Sequence, residues 1–229
     1  MMPEALMLFA AGFGTRMGAL TQERPKPLIM VGGRTLLDHA LDQADTAGVR
    51  HIVANLHYLP EAIRQHLSDR PAVAFSDESE TILETGGGLR KALPLLGRGP
   101  VFTLNTDAVW RGGNPLDELR SAWLPDRMDG LLLLVPRGRA TGHTGAGDFD
   151  LDADGRIRRG RGHVFTGAGI VKTEGLAAFG EAVFSLNRLW NDMAAIGRLY
   201  GTVHRGGWCD VGRPESIPRK SGRSTVPCR

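Results

Sequence analysis

The chain lacks any apolar run approaching the ~18 residues that a membrane-spanning helix needs. The longest are Ala5–Phe13 and Leu131–Val135, so no bilayer-spanning helix is predicted. It has no basic segment at its amino end, the first Lys or Arg being Arg16, and the hydrophobic stretch before it has no cleavage-like small-residue site. A secretory signal is therefore not predicted, and the expected compartment is the cytoplasm. Only two cysteines occur, Cys209 and Cys228. They are too few for a zinc cluster and too close to one end to staple a fold, and are expected to be reduced thiols. The seven histidines are scattered without the i, i+4 pairing and adjacent Glu of a zinc hydrolase, so none is given a catalytic role. The G-x-S-x-G nucleophile elbow and the G-x-x-x-x-G-K-[ST] phosphate loop are absent, and glycines 12, 14 and 18 miss the G-x-G-x-x-G dinucleotide pattern. No internal repeat is present.

What remains is ordinary in all but one respect. The 229 residues are 41% apolar and 23% charged, which suits a soluble globular chain with one core. Glycine is the outlier, at 31 residues, roughly twice the usual ~7%. Backbone must approach something closely and repeatedly. The basic balance does not signal nucleic acid. Arg219, Lys220, Arg223 and Arg229 lie in an acid-free tail, and without those four cations the net charge of +3 becomes −1. The body has no basic cluster of the kind that tracks a phosphate backbone, apart from Arg156–Arg161.

Glu4–Ala10 reads as a buried strand cut off by Gly12 and Gly14. A helix capped by Thr35 and ended by Gly48 follows a loop, then a strand at His51–Leu56. Helix and strand alternate again at Pro60–Leu67, Ala72–Phe75, Leu89–Leu96 and Val101–Leu104. The reading is an α/β fold with a mostly parallel sheet, helices on both faces and ligands at the carboxyl ends of the strands. After residue 136 the texture becomes Gly-rich. A hairpin is predicted around Ala153-Asp154-Gly155, as a small β flap or lid over substrate. Helical segments at Glu174–Phe179 and Leu186–Ile196 precede strands at Leu199–His204 and Trp208–Val211. Residues 1–217 are read as a single domain and 218–229 as a disordered basic tail.

Five segments carry chemistry. Ala10-Ala11-Gly12-Phe13-Gly14-Thr15-Arg16-Met17 turns backbone N–H groups toward an anion directly after a strand, and Arg16 adds a bidentate phosphate partner. In Arg24-Pro25-Lys26-Pro27-Leu28 two prolines hold the chain extended around one lysine. Leu83-Glu84-Thr85-Gly86-Gly87-Gly88-Leu89 reads as a loop ahead of a helix, whose main chain accepts a flat base or sugar. Asp107, after an apolar strand, and Asp210, in Trp208-Cys209-Asp210-Val211-Gly212, offer hard carboxylate ligands. Each segment alone also reads as an ordinary turn, and Arg156–Arg161 as a solvated charge run or a contact for an acidic sugar or a partner chain.

Together the segments resemble the nucleotidyltransferases that activate sugar 1-phosphates. Ala10 to Met17, Leu20-Thr21 and Pro25 to Leu28 match that signature, with Ala19 where the family has Pro. Glu-Thr-Gly-Gly-Gly at 84–88 is similar to the N-acetylmuramate 1-phosphate uridylyltransferases within it, as is Gly147-Asp148-Phe149. The resemblance implies a Rossmann-like nucleotide-diphospho-sugar transferase fold and condensation of a nucleoside triphosphate, UTP by preference, with a sugar 1-phosphate, releasing pyrophosphate. It places the reaction in nucleotide-sugar biosynthesis and cell-wall precursor recycling. It implies Arg16, Lys26 and Asp107 as catalytic residues and Mg²⁺ between Asp107 and Asp210. Ala11, Gly12, Gly14, Thr15, Arg16, Lys26 and Gly87 would bind the nucleotide, and Glu84, Asn105 and Asp148 the sugar phosphate. Alternatives are a guanylyltransferase acting on mannose or heptose 1-phosphate, or a non-catalytic nucleotide sensor. The sequence leaves the oligomeric state open.

Overall fold

The computed structural model describes residues 1–217. The tail predicted from residue 218 lies outside them, and so does the predicted redox state of the cysteine pair, since Cys228 falls there.

From β1 (Ala5–Phe9) the chain passes through two 3-10 turns, Thr15–Thr21 and Lys26–Leu28, into the short ribbon of β2 (Met30–Val31) and β3 (Arg34–Thr35). Then come α1 (Leu36–Thr46), β4 (His51–Leu56), α2 (Pro60–His66), β5 (Val73–Asp77), α3 (Glu84–Leu96) and β6 (Val101–Asn105). The second half holds β7 (Ala108–Arg111), α4 (Pro115–Ala122), β8 (Gly130–Pro136), β9 (Ala140–Thr141), β10 (Phe149–Leu151) and β11 (Ile157–Arg159). After these come β12 (His163–Val171), α5 (Asn187–Ala195), β13 (Leu199–Val203) and β14 (Gly207–Asp210).

The near-continuous apolar strands become a parallel set in the order β5-β4-β1-β6, as expected for strands buried on both faces. Period-two alternation then divides the core. Leu6 and Leu8 of β1 pack with Leu37 and Leu41 of α1 on one face, and Met7 packs with Leu89 and Ala92 of α3 on the other. Beyond β6 the sheet turns mixed: β12 runs antiparallel to β6 and β8, and β13 runs parallel to β8. Strand β12 slips register between Phe165 and Gly169, where Gly167 has φ of +86°. The slip divides it into two halves. Its later half pairs with β6 and its first residue with β10, so β6 and β10 face the same edge of one strand with a gap between them.

Helix α1 starts as its sequence dictates. The Thr35 hydroxyl accepts the Asp38 N–H at 3.0 Å, and the Asp38 carboxylate accepts the Thr35 N–H at 3.3 Å, a reciprocal capping box. The expected hairpin forms as β10–β11 and closes on Asp152, whose Oδ1 accepts the N–H groups of Asp154 and Arg156. It is hydrogen-bonded into the main sheet rather than standing off it as a flap.

Two further local expectations are corrected. Lys26 does not sit in an extended run: Pro25 is extended, but a 3-10 turn begins at Lys26, with the Leu28 N–H donating to Pro25 O at 2.9 Å. The three glycines at 86–88 do not precede α3 but lie inside its first turns. Gly86 and Gly87 donate their N–H groups to Phe184 O at 2.9 and 3.0 Å, so these are not free to read a ligand. Their lack of a side chain serves close packing: a methyl group at Gly87 would lie 2.2 Å from the Ala182 carbonyl oxygen. Overpacking of that kind costs about 1–3 kcal/mol. Gly87→Ala is expected to lower stability by about that amount, read as a reduced midpoint of urea denaturation; an unchanged midpoint refutes the packing role.

Candidate functional site

The carboxyl ends of β1, β4 and β6 open into a cleft of about 390 Å³, lined by Ala11, Gly12, Gly14, Thr15, Arg16, Lys26, Glu84, Asn105 and Asp107. All five segments singled out from sequence contribute here or beside it, although they run from Ala10 to Gly212 in the chain.

The loop after β1 is held from below. Asn55 in β4 is 3% exposed and accepts the Ala10 N–H through Oδ1 at 2.8 Å. Gly14 takes φ of +65°, which a glycine adopts without strain, and its Cα faces Lys26: a methyl group there would meet Lys26 Cβ at 2.8 Å. Thr21 donates its hydroxyl to the Gly14 and Gly18 carbonyls at 3.2 Å each, and Tyr58 donates to Thr21 O at 2.9 Å. These bonds draw the 3-10 turn against Lys26. Arg16 itself has no hydrogen bond or ion pair among the described residues.

Lys26 Nζ lies 2.8 Å from Asp107 Oδ2, with side chains 12% and 28% exposed. Asp107 follows β6, and the Val211 N–H donates to its carbonyl at 2.8 Å, while Asp210 stands opposite Ala108 in the β7–β14 pair. The strand register therefore brings the second acid beside the first. The Asp210 carboxyl is raised above its ordinary value, first by burial and then by the like charge of Asp107, with Lys26, Arg16 and His143 pulling the other way. Gly212 keeps this region open, since a methyl group there would approach Asp210 Oδ1 at 2.9 Å. Among the described residues no group of three or more His, Cys, Asp or Glu side chains gathers as a metal cluster. The candidate metal donors are the two repelling carboxylates, both hard oxygen ligands.

One pair of residues was missed from sequence. Glu78 is 1% exposed and accepts the Asn55 amide at 2.8 Å and the Leu83 N–H at 2.9 Å, so one buried carboxylate ties the loop after β1 to the segment leading into α3. Gly88 makes room for it, a methyl group there falling 2.5 Å from Glu78 Oε1. The available signal was Asn55 itself, an amide inside the apolar run of β4. Glu84, six residues on, lines the cleft with φ of +57°, a conformation non-glycine residues seldom hold.

A second cavity of about 510 Å³ occupies the gap left by the divided β12. Arg16, Phe9, Thr85 and Asn105 line both cavities; Asp148, Arg159, Phe165, Asn187 and Trp190 line only the second. Asp148 is fixed by the Phe165 N–H, which donates to its Oδ2 at 2.8 Å. Of the residues chosen from sequence, Arg16, Lys26, Asp107 and Asp210 come together, Glu84 and Asn105 border them, Asp148 lies in the adjoining cavity, and Gly87 is buried in packing outside both.

The family model described as the MobA-like NTP transferase domain matches residues 6–198. The chain is 41% identical to the N-acetylmuramate alpha-1-phosphate uridylyltransferase of Caulobacter vibrioides, over 93% of this chain and 94% of that protein. It is 35% identical to the protein of the same name from Neisseria meningitidis serogroup B, over 90% and 92%. The inositol-1-phosphate CTP transferase from T. maritima shares the fold, with a TM-score of 0.78 at 16% identity over 96% and 94%.

The strained charge at Asp210 has a testable sign. A carboxyl raised in the folded protein binds protons more tightly than in the unfolded chain, so stability falls as pH rises through and above the unfolded value of ~3.9. Asp210→Asn is therefore expected to melt at a higher temperature than the parent at pH 7 in metal-free buffer, with the gap closing at pH values below the unfolded one. A lower melting temperature at pH 7 refutes it.

Proposed function

The chain belongs to the MobA-like NTP transferase family, and from that premise we propose that it transfers the uridylyl group of UTP to N-acetylmuramate 1-phosphate in the cytoplasm, releasing pyrophosphate. The observation that carries the reading is the meeting of Lys26, Asp107, Asp210 and Arg16 at the carboxyl end of β6. The substrate pair rests on the names of the two relatives, which align over nine-tenths of both chains.

In this reading an oxygen of the sugar phosphate attacks the α-phosphorus of UTP and pyrophosphate leaves. A phosphate monoester has a second pKa of ~6, so the nucleophile is ionised at neutral pH and needs no general base. What the protein must do is hold two polyanions in line and offset their repulsion. Arg16, without a hydrogen-bond or ion-pair partner among the described residues, takes the triphosphate, with the backbone of Ala11, Gly12, Gly14 and Thr15 beside it. Lys26, pinned by its 3-10 turn and by Asp107, presents its ammonium to the α-phosphate. Asn105 and Glu84 face the sugar and ribose hydroxyls, and Asp148 faces the sugar in the second cavity. Asp107 and Asp210 fit Mg²⁺, because two partly buried carboxylates in mutual repulsion would be relieved by a hard cation that they could hold together with the substrate phosphates. Bound there, Mg²⁺ supplies charge neutralisation to both phosphates.

The test is pyrophosphate release with N-acetylmuramate, N-acetylglucosamine and mannose 1-phosphates against UTP, CTP, GTP and ATP. UTP with N-acetylmuramate 1-phosphate is expected to give the highest kcat/KM. A different winning pair overturns the substrate assignment, and silence across the panel overturns catalysis in favour of nucleotide sensing. Asp107→Asn is expected to lower kcat by about 10²-fold or more, since an amide replaces neither the charge nor the metal ligand; full turnover in a folded variant removes Asp107 from the mechanism.

A further inference from the structure

The second cavity holds two opposite charges that do not pair. Asp148 uses one oxygen for the Phe165 N–H, and its other oxygen has no hydrogen bond among the described residues. Arg159 makes no ion pair among them either. Its guanidinium is nonetheless tightly placed. Nε donates to Asn191 Oδ1 at 3.0 Å, Nη2 donates to Asn187 Oδ1 at 2.8 Å and to Asn187 O at 3.4 Å, and the group stacks 4.7 Å from the centre of the Phe149 ring. The two N–H groups of Nη1 have no acceptor among the described residues.

This arrangement is specific to one member of a charge run. Strand alternation sends Arg158 to the opposite face of the sheet, where it approaches Asp150 at 3.9 Å, while Arg159 shares the face of Phe149 and the Asn-bearing side of α5. Arg156 is spent on Asp154 and the Gly197 carbonyl. The holders of Arg159 matter as much as its position. Asn187 and Asn191 are neutral acceptors one helical turn apart, so they orient the fork without cancelling its charge, which a carboxylate partner would do. Partial burial pulls the guanidinium below its ordinary value, with Asp148 opposing, so the charge is kept at some cost that a bound anion would recover.

We infer that Arg159 binds a carboxylate carried by the sugar itself, the lactyl acid of N-acetylmuramate 1-phosphate, and so selects an acidic sugar over a neutral one. The inference rests on the reaction proposed above. Arg16, on the triphosphate, borders both cavities, so the phosphate end of the sugar lies where they meet, whereas Arg159 lines only the second and meets the substituent at the sugar's other end. The charged side chains there, Arg16 and Arg159 against Asp148, sum to one positive charge, which suits an anionic ligand. Asp148, its free oxygen an acceptor, takes a hydroxyl or amide N–H of the same sugar.

The experiment compares kcat/KM for N-acetylmuramate 1-phosphate and for its lactyl methyl ester, at saturating UTP, in the parent protein, Arg159→Gln and Arg159→Lys. The parent is expected to prefer the acid. Arg159→Gln is expected to reduce that preference at least tenfold, and Arg159→Lys, which keeps the charge but not the fork, to fall between. An Arg159→Gln protein that retains the parent's preference overturns the inference, as does a parent that treats acid and ester alike. A parent that releases no pyrophosphate from UTP with either compound overturns the proposed reaction, and this inference with it; the parent measurement alone distinguishes that failure from a failure at Arg159.

Discussion

Lys26 and Asp107 are 81 residues apart in the chain and 2.8 Å apart in space, and the working geometry of the cleft follows from that contact. One partner rides on the loop after β1 and the other on the carboxyl end of β6, neighbouring parallel strands. Parallel pairing sets both ends at the same edge of the sheet, so two loops of opposite charge are forced together. The antiparallel β7–β14 pair then carries Asp210 to the same place, and the like charge is tolerated because two cations stand near it. The region is electrostatically incomplete by construction. It holds acids that repel and an arginine with no ion-pair partner among the described residues, and the ligands proposed for it, a divalent cation and phosphates, supply the missing charges.

The second constraint is buried and polar. Glu78 and Asn55 bridge the loop after β1 to the entry of α3, deep enough that solvent does not compete with their bonds. Losing one partner from such a network leaves an unsatisfied group, which costs about 1–3 kcal/mol. The pair thus fixes the spacing between two walls of the cleft without touching the charges at its centre.

Much of this was legible in the sequence and some was not, for identifiable reasons. Continuous apolar runs gave away β1, β4 and β6, and the Thr35 cap with Gly48 bounded α1, because local chemistry alone decides those features. Asp107 was readable from its place after an apolar strand and Lys26 from its flanking prolines, and the charged residues became a set through the signature they resemble. Strand β12 was not readable: Gly167 and Gly169 interrupt its pattern, and Gly167, at φ +86° in the register slip, lies so close to Asn105 that a methyl group would meet its Cβ at 2.8 Å, a tertiary reason invisible in one dimension. Helix α4 was missed because it is short and polar, relying on Asn114 accepting the Leu116 and Asp117 N–H groups for its start. The glycine triplet misled for the opposite reason. Glycines suggested a loop, whereas the need was for helix packing against Phe184, Ala182 and Glu78. Within the run Arg156–Arg161 the residues look alike, and only the pleat of β11 separates the one facing the cavity from its neighbours.

The divided strand β12 has a consequence for how this architecture varies. Its later half is committed to β6 and hence to the rigid parallel block, while its beginning belongs with the β10–β11 hairpin and α5. Substitutions in the hairpin can reshape the second cavity without shifting the register that aligns Asp107 with Lys26. On the reading proposed for the second cavity, a lineage could exchange one sugar for another by editing residues around the slip, leaving the phosphate chemistry inherited intact.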